Sequence, residues 1–172
     1  VNLNPEIATS LAEWAHRWVD MAPHVATLTR LATEARTIVE LGVREGVSTW
    51  ALLDGLPADG RLYSVDIQRD SQPPRVTNDP RWTYIIGDDL SEDVHAQLPS
   101  HADLVFIDTS HEYEHTAGEL VYALSLSPAR IVMHDYVQAP VARAVDEFCA
   151  REGWAVVAHE PEYGLATLER HG

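Results

Sequence analysis

The chain has 172 residues, 45% of them hydrophobic and 23% charged, the length of one ordinary domain with a core of its own. Twelve Lys and Arg against 27 Asp and Glu leave a net charge of −15 with histidines neutral, which argues against nucleic acid or an anionic membrane surface as partner. Cys149 is the only cysteine, so an intrachain disulfide and a cysteine-built zinc site are both excluded, as suits a reducing, cytoplasmic setting.

Apolar residues at helical spacing (Ile7, Leu11, Trp14, Trp18, Met21) predict a helix from Pro5 to about Met21, with Asn4 and Pro5 as its start. Its charges Glu6, Glu13, Arg17 and Asp20 speak against a signal peptide or a membrane span. The stripe around Trp14 and Trp18 reads as core or dimer contact. A second helix is expected over Pro23 to Thr33. Thr37 to Gly42 is then a β-rich run ending in glycine, followed by a helix from about Val47 to Leu56 that Pro57-Ala58-Asp59-Gly60 stops.

The alternation recurs, as in a sheet with crossover helices. Strands are predicted at Arg61–Asp66, Trp82–Ile86, Leu104–Ile107 and Ile131–Met133, and helices at Tyr113 to Leu126 and Val141 to Arg151. Trp154–Val157 and Leu165–Leu168 close the chain as a hairpin pair. Together these make an α/β, Rossmann-like three-layer sandwich with seven strands, in a single domain over 1–172. Residues 1–34 form its N-terminal helices and 35–172 its core.

Ligands of open parallel sheets collect at the carboxyl ends of the strands. Each of the first five strands has an acid there: Glu40, Asp66, Asp88 with Asp89, Asp108, and Asp135 after His134. Massed carboxylates are stabilised by cations or positive ligand groups. The loop Glu40-Leu41-Gly42-Val43-Arg44-Glu45-Gly46 lacks the G-x-G-x-x-G spacing that cradles a pyrophosphate, and its acids repel one. A cofactor with an ammonium and a sulfonium is attracted instead. Asp66 is placed to accept from ribose hydroxyls and Gly87-Asp88 to hold an adenine amino group, so S-adenosylmethionine meets all three demands.

Residues 37–136 resemble the core of class I S-adenosylmethionine-dependent methyltransferases, and within them the macrocin-type sugar O-methyltransferases and the cephalosporin-hydroxylase-like proteins. The resemblance is carried by Glu40-Leu41-Gly42-x-x-x-Gly46-x-Ser48-Thr49, Val65-Asp66, Phe106-Ile107-Asp108-x-x-His111-x-Tyr113 and Met133-His134-Asp135-Tyr136. It implies a mostly parallel sheet with an antiparallel last strand inserted beside the fifth. It also implies cofactor contacts at Glu40, Gly42, Gly46, Ser48, Asp66 and Asp88, a divalent metal (Mg or Mn) held by Asp108, His134 and Asp135, and His111 as general base.

The function expected is O-methylation of a small hydroxylated acceptor, a sugar or natural product, in which alignment and a more nucleophilic acceptor oxygen do the chemistry. Methylation at nitrogen or carbon, a metal-dependent hydrolase or hydroxylase, and a cofactor-binding protein without turnover are the alternatives on the same fold. Tyr113 and Tyr136 flank the expected site, Trp50 and Cys149 read as packing residues, and a homodimer is compatible with the small size. With no insertion to form a substrate cap, acceptor recognition is expected from the N-terminal helices, the loop Gln68 to Arg81, the loop Tyr136 to Pro140, or a partner subunit.

Overall fold

The computed structural model describes residues 19–68 and 79–171. The predicted helix from Pro5, with Trp14 and Trp18, and most of the loop from Gln68 to Arg81 lie outside these residues. A 3-10 turn at Ala22–His24 leads into α1 (Val25–Ala32), and then β1 (Thr37–Leu41), α2 (Val47–Gly55), β2 (Arg61–Asp66) and β3 (Trp82–Ile86) follow. After α3 (Glu92–His95) come β4 (Leu104–Ile107), α4 (Tyr113–Ser125), β5 (Arg130–Met133), α5 (Ala139–Glu152), β6 (Trp154–Glu160) and β7 (Leu165–Arg170).

The seven strands form one sheet in the order β3-β2-β1-β4-β5-β7-β6. The first five are parallel, while β7 pairs antiparallel with both β5 and β6, so the last strand is inserted beside the fifth as the resemblance implied. Central strands are continuous apolar runs because both faces are covered; β4 is buried at every residue. Edge strands β3 and β6 have partly exposed faces.

Strand periodicity divides the interior in two. Ile38, Leu62, Leu104, Phe106 and Val132 face α1 and α2, where Leu28, Leu31, Leu52 and Leu56 pack with half-buried Trp50. Val39, Leu41, Val65, Val105, Ile107 and Ile131 face α4 and α5, against Leu120, Val145 and Phe148 with half-buried Cys149. The three-layer architecture is therefore the predicted one. The sequence reading did not include α3, whose four residues are too few to show a period. Its signal was the cap: the Ser91 side chain accepts from the Val94 amide, with Glu92 and Asp93 in the first turn.

Candidate active site

The loop between β1 and α2 is shaped by two glycines. Gly42 has φ +88 and passes so close to the loop after β4 that a Cβ would sit 2.0 Å from the Asp108 carbonyl oxygen. Gly46, left-handed at φ 76, precedes the first residue of α2. Between them the Val43 and Arg44 amides donate to Asp66 Oδ2 at 3.0 and 2.8 Å, while Oδ1 accepts from the Gln68 amide. Asp66 thus pins the loop from the end of β2. A carboxylate oxygen has more than one lone pair, so this leaves acceptor capacity for a ligand hydroxyl.

The same loop walls an open cleft of about 240 Å³, solvent included, lined by Asp20, Met21, Val43, Arg44, Glu45, Val47, Ser48 and Asp108. Arg44 and Asp20 form an ion pair at 3.0 Å between two of its walls.

Glu40 does not line this cleft. Its strand parity is that of Ile38, and its Cα is paired with those of Ser64 and Phe106, so its side chain points to the α2 face. There it is fully buried and accepts hydrogen bonds from Ser48 (2.6 Å), Thr49 (2.7 Å) and Ser64 (2.5 Å), while Ser64 in turn accepts from Trp82 Nε1. Burial pushes its carboxyl up to about 7 against those three bonds, helped by the nearby charge of Asp108. Through Ser48, which also lines the cleft, Glu40 supports the wall from behind. Asp88 is exposed, with its side chain accepting from the Leu90 amide.

At the ends of β4 and β5 the candidate chemistry converges. His134 is buried, and its Nδ1 lies 3.2 Å from Asp108 Oδ1 and 3.0 Å from Asp135 Oδ2. Burial works against a charge on this ring, yet the hydrogen bonds and charges of the two carboxylates overcome it and push its pKa up to about 10. Burial likewise raises Asp135, but the bonds from His134 and Gln138 and the facing imidazoles hold it at about 2. Asp135 adopts the left-handed backbone at φ 58, which turns its carboxylate back toward His111. His111 Nε2 is 2.8 Å from Asp135 Oδ2, and Gln138 Nε2 donates both to Asp135 Oδ1 (2.9 Å) and to His111 Nδ1 (3.0 Å).

Ligand atoms of Asp108, His111 and Asp135 lie within 4.8 Å of one another. Two carboxylates and an imidazole suit a divalent ion such as manganese. His134, expected from the sequence as the third ligand, is absent from this trio: its Nδ1 sits between Asp108 Oδ1 and Asp135 Oδ2, and its Nε2 lies 3.4 Å from the Asp20 carbonyl oxygen. Gln138 was not singled out in the sequence reading; its signal was position alone, three residues after Asp135. Tyr113 and Tyr136 donate to Glu147 and Asp146 on α5.

Residues 39–136, more than half of the chain, match the model of a methyltransferase-domain family. The chain belongs to this methyltransferase family. It is an enzyme of the S-adenosylmethionine-dependent methyltransferase class, as the sequence motifs implied. The fold is shared with the O-methyltransferase TomG from Streptomyces achromogenes, involved in tomaymycin synthesis and solved with SAM, at 23% identity and TM-score 0.77, covering 100% of this chain and 93% of that one. The O-methyltransferase from Bacillus cereus, solved with SAH, superposes with TM-score 0.74 at 17% identity, covering 98% and 91%. Cofactor-bound Rv0187 from MTB superposes with TM-score 0.79 at 22% identity, again covering 98% and 91%. No curated protein sequence matches the chain. Among the described residues, no helix of this methyltransferase is long and apolar enough to cross a membrane.

Proposed function

We propose that this methyltransferase moves the methyl group of S-adenosylmethionine to a hydroxyl oxygen of a small acceptor, a sugar or natural product, at the junction of the β1–α2 loop with Asp108, His111 and Asp135. The observation that carries the reading is the convergence of those three side chains within 4.8 Å at the edge of the cleft that Asp108 shares with Ser48 and Val43. Asp66 receives the ribose hydroxyls, Gly42 and Gly46 shape the loop against the donor, Ser48 faces the donor with Glu40 behind it, and Asp88 meets the adenine.

Asp108 and Asp135 would hold a divalent ion, magnesium or manganese, which when bound lowers the pKa of an adjacent hydroxyl. His134 keeps the two carboxylates in place. His111, half in solvent and oriented by Asp135 and Gln138, accepts the acceptor's proton as the methyl arrives. The distances equally favour His111 as a third ligand of the ion, and His111→Ala separates the two roles. Loss of manganese binding marks a ligand; retained binding with a reduced kcat marks the base.

The test is methyl release from labelled S-adenosylmethionine onto a panel of hydroxylated acceptors, with and without manganese, alongside thermal shift with S-adenosylhomocysteine. Stabilisation by S-adenosylhomocysteine and metal-dependent transfer to oxygen are expected. Turnover that survives thorough chelation overturns the metal role, and transfer only to nitrogen or carbon overturns the O-methyl reading.

A further inference from the structure

A second group of potential ligands lies apart from Asp108, His111 and Asp135, on the α4 side of the loop after β3. Asp89, His115 and Glu119 bring one ligand atom each within 4.8 Å of the others. His115 and Glu119 are one helical turn apart on α4, so both side chains emerge on one face toward Asp89. His115 Nε2 is 3.0 Å from Asp89 Oδ1 and 3.8 Å from Glu119 Oε1.

The surroundings are unusual for acids that merely solvate a surface. Glu119 is fully buried and Asp89 is only 6% exposed. Glu119 Oε1 accepts from Thr109 Oγ1 at 2.6 Å, but Oε2 is buried with no donor, while the Asp89 carboxylate lies within hydrogen-bonding reach of the Glu119 side chain. Burial first, then the neighbouring Asp89, push the Glu119 carboxyl up to about 10, against the Thr109 bond. A buried carboxyl with one oxygen lacking a donor, beside a second carboxylate, needs either a proton or a cation between the two groups.

Asp89 is held where it is from outside the group. The His95 ring meets the Asp89 carbonyl oxygen at 2.7 Å and stacks on Tyr122 at 3.6 Å, and the Leu90 amide binds the Asp88 side chain. The three donors therefore belong to anchored segments rather than a free loop.

We propose that Asp89, His115 and Glu119 form a second divalent-cation site of the zinc type, distinct from the cluster at Asp108, that clasps the loop after β3 to α4. Two carboxylate oxygens and an imidazole nitrogen are a zinc donor set, and the partly exposed His115 side leaves a fourth position for water. The ion would neutralise the facing carboxylates and satisfy Glu119 Oε2. Because Glu119 also holds Thr109, the neighbour of Asp108, the clasp fixes the backbone from which the first cluster hangs.

The experiment uses the whole chain, stripped of metal with a chelator and titrated calorimetrically with zinc chloride, beside the variants D108N, H115Q and E119Q. Of the zinc the wild type takes up, one equivalent is expected to be retained by D108N and lost in H115Q and E119Q, whatever the cluster at Asp108 binds besides. A zinc-edge anomalous map of zinc-soaked crystals should then place a peak between Asp89 and Glu119. H115Q changes a partly exposed side chain and keeps the test readable if E119Q does not fold. Zinc uptake that H115Q leaves unchanged, an anomalous peak confined to Asp108 and Asp135, or no uptake at all overturns the proposal. The retention of manganese-dependent methyl transfer in that event would show that the function proposed above stands without it.

Discussion

The carboxyl group of Glu40 sets a pH dependence of stability that one substitution should remove. In the folded chain it is buried and has its pKa pushed from 4.5 up to about 7. A group that holds its proton more tightly when folded stabilises the fold fully below its unfolded value, and that contribution disappears as pH rises through the folded value. At about 1.4 kcal/mol per pH unit the full loss is about 3 kcal/mol, of which about 2–3 kcal/mol falls between about pH 5 and pH 8. Glu40→Gln has the same shape and no charge to desolvate, and the hydroxyls of Ser48, Thr49 and Ser64 can turn to accept from its amide. Urea unfolding of both proteins across this range should show the variant gaining on the wild type by about 2–3 kcal/mol as pH rises. Other titrating groups, Glu119 among them, are common to both chains and cancel in the difference. Ser64→Ala, which deletes one hydroxyl donor to the carboxylate, should make the wild-type slope steeper. Parallel curves for wild type and Glu40→Gln would refute the account of a carboxylate charged at a cost behind the cleft wall.

His111→Ala should lower kcat by about 10²-fold or more with folding unchanged, since its ring is largely outside the core, as steady-state methyl transfer and a thermal melt would show. Asp108→Asn removes one of the two carboxylates that hold His134, so the imidazole should titrate at lower pH, observable by NMR of the ring, and manganese affinity should fall together with turnover. Gly42→Ala forces a Cβ onto the Asp108 carbonyl at a positive φ; a loss of several kcal/mol is expected in denaturant unfolding, along with weaker S-adenosylhomocysteine binding. Phe106→Ala opens a cavity among fully buried side chains between the sheet and α1 and α2, at about 3–5 kcal/mol by the same measurement.

The strands were legible because their signal is local. Arg61–Asp66, Trp82–Ile86 and Leu104–Ile107 begin and end where apolar or alternating runs meet turn residues, and the structure keeps those bounds. The acids at the strand ends were legible as a set but not one by one. Glu40 and Asp108 both belong to that series, yet parity sends the first to the α2 face among hydroxyls and leaves the second at the cleft. Counting Ile38, Glu40 and Ser64 onto one face would have paired Glu40 with Ser64 from sequence alone. The roles of His111 and His134 depend on which ring nitrogen meets which carboxylate, a matter of the turn at Asp135 that no spacing rule encodes. Asp89, His115 and Glu119 join segments distant in the chain, and only the packing of α4 over the loop after β3 reveals them together.

The position of β7 bears on how the molecule is made. It emerges after β6, yet lies between β5 and β6 and is hydrogen-bonded to both. During synthesis β6 therefore has no place to dock until β7 has cleared the ribosome, and the nascent sheet presents the open edge of β5 to solvent for that interval. A chaperone that shields strand edges would have its moment of greatest use there, and shortening the chain within β7 should leave a five-stranded, association-prone remnant rather than a slightly smaller enzyme.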